Sequence, residues 1–285
     1  MLRTGFIGSD NLFDKYICGW LHQHSDLRLI VWTDQLRWSA KGDERGLRIL
    51  SRYRQRAKRL GWARVVDEIL YYALYRSVLL RRDERRLRVL LAETWARNPV
   101  PSVGEIRQIR ATDIHAAELL ETIEEQRLDA LFSMCIDVLL PESVISAPRL
   151  GSYLWHEGIT PEYRGVYPAF WALANRDYGK LGYTLLRMTM KLDAGDVFVQ
   201  GTVQDVDPHS DWPNYIGHKA VLDSLPETER FLKELERGEH KPLVRVGAKD
   251  RLYSYPTASA LARIVWHRWR RKLSRLRAWL APRAA

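Results

Sequence analysis

The chain has 285 residues, enough to bury the core of one large domain, and its 46% hydrophobic and 28% charged residues are ordinary for a globular protein. Runs of about 18 uncharged apolar residues are absent, so the sequence predicts no membrane-spanning helix. The first residues are predicted to form a strand rather than a signal peptide, because Asp10 interrupts a short apolar run. Cys18 and Cys135 lie in apolar runs and are expected to be buried thiols of a cytoplasmic protein rather than a disulfide.

The net charge of +10 is concentrated in two segments. Residues 251–285 contain nine Lys or Arg and no acid, and residues 44–97 contain fifteen Lys or Arg against six acids. The remaining residues, 21 basic and 29 acidic, are net negative. We therefore predict a domain over residues 1–250 with a helical insertion at 44–97, followed by a basic amphipathic helix at 251–285.

Strand and helix patterns alternate along the chain. Apolar runs predict strands at residues 4–8 and 27–34, and a long helical pattern fills residues 45–96. Further strands are predicted in "IRQIRA", "LDALFSMC", "SYLW", "GYTLLRMTMKL" and "GDVFVQGTVQDV", with helices at 115–127, in "YPAFWALANRD" and at 211–238. This alternation predicts an open, mostly parallel α/β sheet, whose ligands would bind beyond the carboxyl ends of the strands.

His156 stands at the carboxyl end of one predicted strand. The loop that follows contains Arg164, a planar donor suited to an anionic group. Asp193 is predicted to close a later strand, where its carboxylate could form an acid–base pair with His156. The alternative is that the histidine is structural and that Asp193 only makes a turn with its own backbone.

Residues 128–201 resemble the 10-formyltetrahydrofolate-dependent formyltransferases, which include glycinamide ribonucleotide, methionyl-tRNA and amino-sugar N-formyltransferases. The family's motif order is present here as "VLLP", "LWH", "TPEYRG", "FWAL", "GYT" and "DAG". The N-terminal strands extend the resemblance back to residue 1. The resemblance implies a Rossmann-like, mostly parallel formyltransferase fold.

The resemblance also implies a co-substrate and a site. The co-substrate would be 10-formyltetrahydrofolate, with His156 as hydrogen-bond donor to the developing oxyanion and Asp193 as the residue that orients it. The turn at the first strand end would lie near the acceptor, together with Arg164. The pterin would contact backbone at Asp137, Val138, Leu139 and Leu140, the acceptor turn would be Gly8, Ser9, Asp10 and Asn11, and no metal site is expected.

Leu154 departs from the family, which usually has asparagine two residues before the histidine. Leucine donates no hydrogen bond, and loss of one oxyanion donor commonly costs about a hundred- to a thousandfold in rate. Either the reaction tolerates a weaker oxyanion hole, another donor substitutes, or the chemistry differs.

The expected function is N-formylation of a small-molecule amine, such as an amino sugar of a surface polysaccharide. Two alternatives stay open. One is a formyl-folate hydrolase or other acyl transferase that uses His156 and Asp193. The other is a catalytically silent member that binds a membrane or a partner.

The basic helices suggest where the protein acts. In residues 261–280, Leu261, Val265, Trp269, Leu273, Leu276 and Leu280 recur at helical spacing among arginines. Such a helix suits an anionic membrane surface, here the inner face of the membrane, or docks on the domain with a solvated basic face. Three interpretations of residues 62–80 stay open: these helices cover the sheet, form a homodimer contact, or lie at the bilayer surface. Nucleic-acid binding is not expected, because no recognised module accompanies the charge.

Overall fold

The computed structural model describes residues 1–33, 43–134, 139–245 and 248–280. In these residues a seven-stranded sheet has the order β3-β2-β1-β4-β5-β7-β8. β1 to β5 are parallel where they pair, and β7 and β8 are antiparallel to their neighbours. The strands are β1 Arg3–Gly8, β2 Asp26–Trp32, β3 Arg107–Arg110, β4 Ala130–Met134, β5 Ser152–His156, β7 Gly182–Arg187 and β8 Val197–Thr202. The predicted α/β fold with a mostly parallel sheet is confirmed.

Helices cover the sheet and fill the predicted insertion at 44–97. They are α1 Leu12–His24, α2 Asp43–Leu60, α3 Trp62–Leu74, α4 Leu80–Arg97, α5 Ala117–Glu125, α6 Glu142–Ser146, α7 Pro168–Asn175, α8 Pro213–Arg237 and α9 Ala258–Leu280. A π-helical turn, Tyr75–Leu79, joins α3 to α4, and a 3₁₀ turn spans Tyr178–Lys180.

The central strands are buried on both faces because helices lie on each side of them. Phe6 and Phe132 belong to the larger cluster, which includes apolar residues of α1, α7 and α8. Their neighbours Ile7 and Leu131 point to the opposite face, where they join α5 and α6. This explains why β1 and β4 are nearly continuous apolar runs rather than alternating ones.

β5 lies at the change from parallel to antiparallel pairing. Leu154 pairs with Ser133 of parallel β4, and His156 pairs with Thr184 of antiparallel β7. The carboxyl end of β5 lies beside the carboxyl ends of the parallel strands, which is where α/β proteins commonly bind ligands.

The C-terminal segment differs in detail from the prediction. Residues 252 and 253 form a short strand, β9 Leu252–Tyr253, that pairs with β6 Arg164–Gly165, so the basic helix begins only at Ala258. One face of α9 joins the main core through Ala260, Leu261 and Ile264. The helix is therefore docked on the domain along that face, and its other faces remain exposed.

The structure describes only one of the two cysteines that were predicted to be buried thiols. Cys18 is a buried free thiol, and burial raises its pKa well above the ordinary value. Cys135 lies outside the described residues.

Candidate active site

The structure brings His156 and Asp193 together. The Nδ1 atom of His156 lies 3.7 Å from Oδ2 of Asp193, and the two residues are only 6% and 7% exposed. Asp193 also accepts a hydrogen bond from the backbone N–H of Gly165 over 2.8 Å. A carboxylate held this close to an imidazole forms a candidate acid–base pair.

The other ring nitrogen of His156 is already bonded. Nε2 lies 2.7 Å from the carbonyl oxygen of Tyr163. Because a carbonyl only accepts, Nε2 carries a proton, which leaves Nδ1 as the nitrogen available for chemistry. The loop after His156 is fixed by Thr184, whose hydroxyl donates to Gly158 O over 2.6 Å.

Asp193 reaches His156 from a loop rather than from a strand end, which corrects the prediction. β7 ends at Arg187, because its partner β5 begins at Ser152 and offers no backbone to pair with the residues beyond Met188. The chain then turns through residues 188–196, where Asp193 has a φ of +48°. A Cβ at Gly195 would lie 1.8 Å from the carbonyl oxygen of Arg187, so only glycine fits this part of the "DAG" motif.

A cavity of about 320 Å³ opens against this pair. One part of its wall is apolar and comes from the segment after β4, α6, β5, and β7 with the loop that follows it. The apolar side chains are Leu139, Leu140, Ile145, Leu154, Leu186, Met188, Met190 and Leu192. This volume is sufficient for a small-molecule site.

Leu154 and His156 point into the cavity from the same face of β5, because side chains two residues apart in a strand share a face. Leu154 is half-buried. The position that usually carries an oxyanion donor in the resembled family is therefore an apolar part of the wall.

Leu139 and Leu140, predicted pterin contacts, line the cavity. Asp137 and Val138, the other two, lie outside the described residues.

The predicted acceptor turn lies at the same edge of the sheet, two strands from β5, but not in the cavity wall. Gly8 ends β1 and Asn11 caps α1 by accepting from Asp14 N over 2.9 Å. Ser9 N donates to the Asp14 carboxylate over 2.7 Å. Asp10 forms ion pairs with Lys15 and Arg110.

Arg164 was predicted to bind substrate, whereas its described contacts are within the protein. Nη1 pairs with the carboxylate of Asp250 at 2.6 and 2.7 Å, and Nε donates to the carbonyl oxygen of Leu192 over 3.0 Å. The arginine therefore anchors the loop that carries Asp193.

A polar part of the cavity wall was missed by sequence reasoning. It is formed by Glu157 with Asn214 and His218 of α8. Glu157 Oε1 lies 3.4 Å from His218 Nδ1 and accepts no hydrogen bond from the described residues. His218 Nδ1 lies 2.8 Å from the carbonyl oxygen of Asn214. The available signals were the acid directly after the strand-end histidine and the i, i+4 spacing of Asn214 and His218.

The helical insertion supports this polar wall. Asn214 Nδ2 donates to the hydroxyl of Tyr75 over 2.6 Å, and Tyr75 donates to Asp83. Asp83 also accepts from the backbone N–H of Tyr215 over 3.2 Å. Burial raises the pKa of Asp83, although hydrogen bonds from Tyr75 and Tyr215 oppose that rise.

Fold and site together define a Rossmann-like α/β protein with a buried His–Asp pair and a cavity at the carboxyl edge of its sheet. Residues 80–218 match the formyl transferase family model, so this part of the chain is similar to the formyltransferase family. Members of this family are enzymes that transfer formyl groups.

A methionyl-tRNA formyltransferase from Thermotoga neapolitana is 33% identical over 144 residues, which are 50% of this chain and 45% of that protein. The matched region of this chain thus spans less than half the length of that relative.

Two solved structures share the fold. A 4-N formyltransferase from Francisella tularensis has a TM-score of 0.51 at 13% identity, over 88% of this chain and 76% of that one. A phosphoribosylglycinamide formyltransferase from Anaplasma phagocytophilum has a TM-score of 0.51 at 12% identity, over 88% of this chain and 97% of that one.

Proposed function

We propose that this chain is an N-formyltransferase that moves a formyl group from 10-formyltetrahydrofolate, the donor that the family uses, to the amino group of a small acceptor. The observation that carries the proposal is the buried pair of His156 and Asp193 in the wall of a cavity at the carboxyl edge of the sheet.

The reaction requires a hydrogen-bond donor where negative charge develops. The acceptor nitrogen forms a bond to the formyl carbon, the carbonyl oxygen becomes an oxyanion, and the bond to folate N10 then breaks. One proton leaves the acceptor nitrogen and one is taken up by N10. Because Nε2 of His156 is bonded to Tyr163 O, Nδ1 is the ring nitrogen left to act on the oxyanion. Asp193 lies 3.7 Å from Nδ1, so its carboxylate orients the ring and stabilises a proton that Nδ1 carries during the transfer.

The folate occupies the apolar part of the cavity. Leu139 and Leu140 line that part, and an apolar slot suits a flat pteridine ring. Asp137 and Val138 remain proposed pterin contacts through their backbone. Arg164 acts on the site through the loop of Asp193, which it anchors at Leu192 O.

The acceptor amine lies in the polar part, beside Glu157, Asn214 and His218. The Glu157 carboxylate binds the acceptor next to His156, the residue that performs the chemistry. Lys191 lines the same cavity from the loop after β7, is exposed, and is placed to pair with an acceptor phosphate. A carboxylate, an amide, an imidazole and an ammonium group together suit a hydroxyl-rich, phosphate-bearing acceptor. A nucleotide-linked amino sugar has this chemistry.

The test has two stages. Calorimetry with 5-formyltetrahydrofolate, a stable formyl-folate, measures folate binding by the full chain. Mass spectrometry then measures formylation of a panel of nucleotide-linked amino sugars with 10-formyltetrahydrofolate as donor. His156→Ala is the inactive variant, and His115→Ala, which changes an exposed histidine before α5, is the matched control.

We expect folate binding and formylation by the wild type and by His115→Ala, with formylation lost in His156→Ala. Absence of folate binding overturns the proposal. Formate release with no acceptor present assigns the chain to hydrolysis instead.

A further inference from the structure

α3 exposes a stripe of large apolar side chains on the face opposite its buried residues. Val65, Glu68 and Tyr71 face the protein and are buried. The opposite face exposes Trp62, Val66, Ile69, Leu70 and Leu74 at between 41% and 58%. Their spacing of three or four residues forms one helical stripe.

The charged residues of α3 are held away from this stripe. Glu68 accepts from Arg56 and Arg64, and Asp67 accepts from Ser259. The apolar stripe therefore carries no charge of its own, which is unusual for a helix face in contact with water.

α9 exposes a second apolar stripe. Its core-facing side holds Ala260, Leu261 and Ile264, whereas Val265, Trp266 and Trp269 are 48%, 52% and 50% exposed. The rings of Trp266 and Trp269 stack with centroids 5.3 Å apart. Half-exposed tryptophans on an amphipathic helix are typical of the boundary between lipid headgroups and acyl chains.

The two helices are neighbours at the surface. Ser259, at the start of α9, donates to the Asp67 carboxylate from its backbone N–H over 2.9 Å and also from its hydroxyl. Arg64 donates to the carbonyl oxygen of Tyr255 over 3.0 Å. We call the exposed apolar stripes of these two helices, with the basic side chains beside them, the α3–α9 surface.

Basic side chains accompany both stripes. Arg263, Arg270 and Lys272 of α9 are exposed, and none forms an ion pair with a carboxylate in the part of the chain that the structure describes. Residues 251–285 contain no acid at all. The first turn of α4, the helix that follows the π-helical turn, carries the exposed Arg81 and Arg82.

We propose that the α3–α9 surface binds a bilayer rich in anionic lipid. Trp62, Trp266 and Trp269 enter the headgroup region, and the neighbouring arginines and lysines contact lipid phosphates. A second copy of this chain is the poorer occupant, because it would bring two unneutralised basic surfaces together. In the part of the chain that the structure describes, none of the helices has the length and apolar character needed to span a bilayer.

The test uses the full chain and needs neither folate nor acceptor. Sedimentation with vesicles of phosphatidylcholine, with and without phosphatidylglycerol, measures binding at rising salt. Two double variants place acids on the stripes: Ile69→Asp with Leu70→Asp on α3, and Trp266→Asp with Trp269→Asp on α9. Val244→Asp is the matched control, because Val244 is 85% exposed in a loop outside both helices.

We expect the wild type and Val244→Asp to bind only the anionic vesicles, and to be released as salt rises. Each double variant should partition at least about fivefold more weakly, with thermal unfolding unchanged, because its new acids meet lipid phosphates. Equal binding by wild type and both double variants overturns the proposal. So does self-association of the wild type without lipid that both double variants abolish, since the occupant would then be a second copy.

Discussion

Asn214 donates a 2.6 Å hydrogen bond to the hydroxyl of Tyr75, and this contact joins the cavity wall to the helical insertion. The insertion is therefore part of the site and not only an appendage. Asp83 extends the connection into the buried region beneath the π-helical turn.

Tyr75→Phe tests this connection. The variant removes the acceptor of the Asn214 amide and the donor to the buried Asp83 carboxylate, so we expect about 1–3 kcal/mol lower free energy of unfolding. The KM for the acceptor should rise several-fold, while the folate Kd stays unchanged because the apolar wall is untouched. Urea unfolding, calorimetry and steady-state kinetics measure the three quantities. Tyr255→Phe is the control, and equal acceptor KM values in the two variants would contradict the connection.

The pair of His156 and Asp193 should act mainly in the transition state. We expect His156→Ala and Asp193→Asn each to lower kcat at least about a hundredfold with little change in folate Kd. Asp193→Asn is informative because its amide oxygen can still accept from Gly165 N, so the variant removes charge while retaining that contact. Single-turnover rates and calorimetry make the comparison. Wild-type rates in either variant would remove that residue from the mechanism.

Glu157 should contribute to acceptor binding and not to folate binding or to the chemical step. Glu157→Gln keeps the shape but removes the charge, so we expect the acceptor KM to rise about tenfold with kcat and folate Kd close to wild type. Gly217→Ala provides a second approach, because a Cβ at Gly217 would lie 2.5 Å from Glu157 Oε2 and displace the carboxylate. Acceptor kinetics should shift in the same direction for both variants. A fall in kcat with unchanged KM would instead place Glu157 in the chemical step.

The lowered pKa of Asp129 predicts how the free energy of unfolding depends on pH. Burial alone would raise the pKa of Asp129, but hydrogen bonds from Arg3 and Arg149 outweigh it and lower the pKa to about 2. The ionised carboxylate therefore stabilises the fold above its ordinary pKa of 3.8, and this contribution is lost as the pH falls towards 2. We expect Asp129→Asn to unfold with about 1–2 kcal/mol less free energy at pH 7 and to equal the wild type near pH 2.

Urea unfolding across this pH range measures the effect. Asp26→Asn, which breaks the exposed pair with Arg28, is the control and should change stability much less than Asp129→Asn does. If the free energies of unfolding of Asp129→Asn and wild type differ by the same amount at all pH values, the charge of Asp129 is not the cause of the difference.

The sequence was sufficient for the sheet because β1, β2 and β4 are nearly continuous apolar runs, which buried strands require. It also placed His156 at a strand end and brought Asp193 near it through the motif order. It extended β7 too far, because the end of that strand depends on where β5 begins. The polar wall was missed because Glu157 is distant in the chain from Asn214 and His218, and the three residues meet only when α8 packs beside the end of β5.

Leu154→Asn tests whether the apolar position in the cavity wall limits the reaction. Leu154 shares a face of β5 with His156 and lines the same cavity, so an amide there would reach the space where the oxyanion forms. Leucine and asparagine are close in volume, and the half-buried site should limit the stability loss to about 1–3 kcal/mol. We expect the variant to match or exceed the wild type in formyl transfer once an acceptor is found. Leu154→Asp, of the same shape but without an N–H, should be slower than both, because its charge opposes the oxyanion. If Leu154→Asn instead abolishes activity while thermal unfolding and folate Kd stay unchanged, the leucine is a required part of the pocket, and the wild type uses another oxyanion donor.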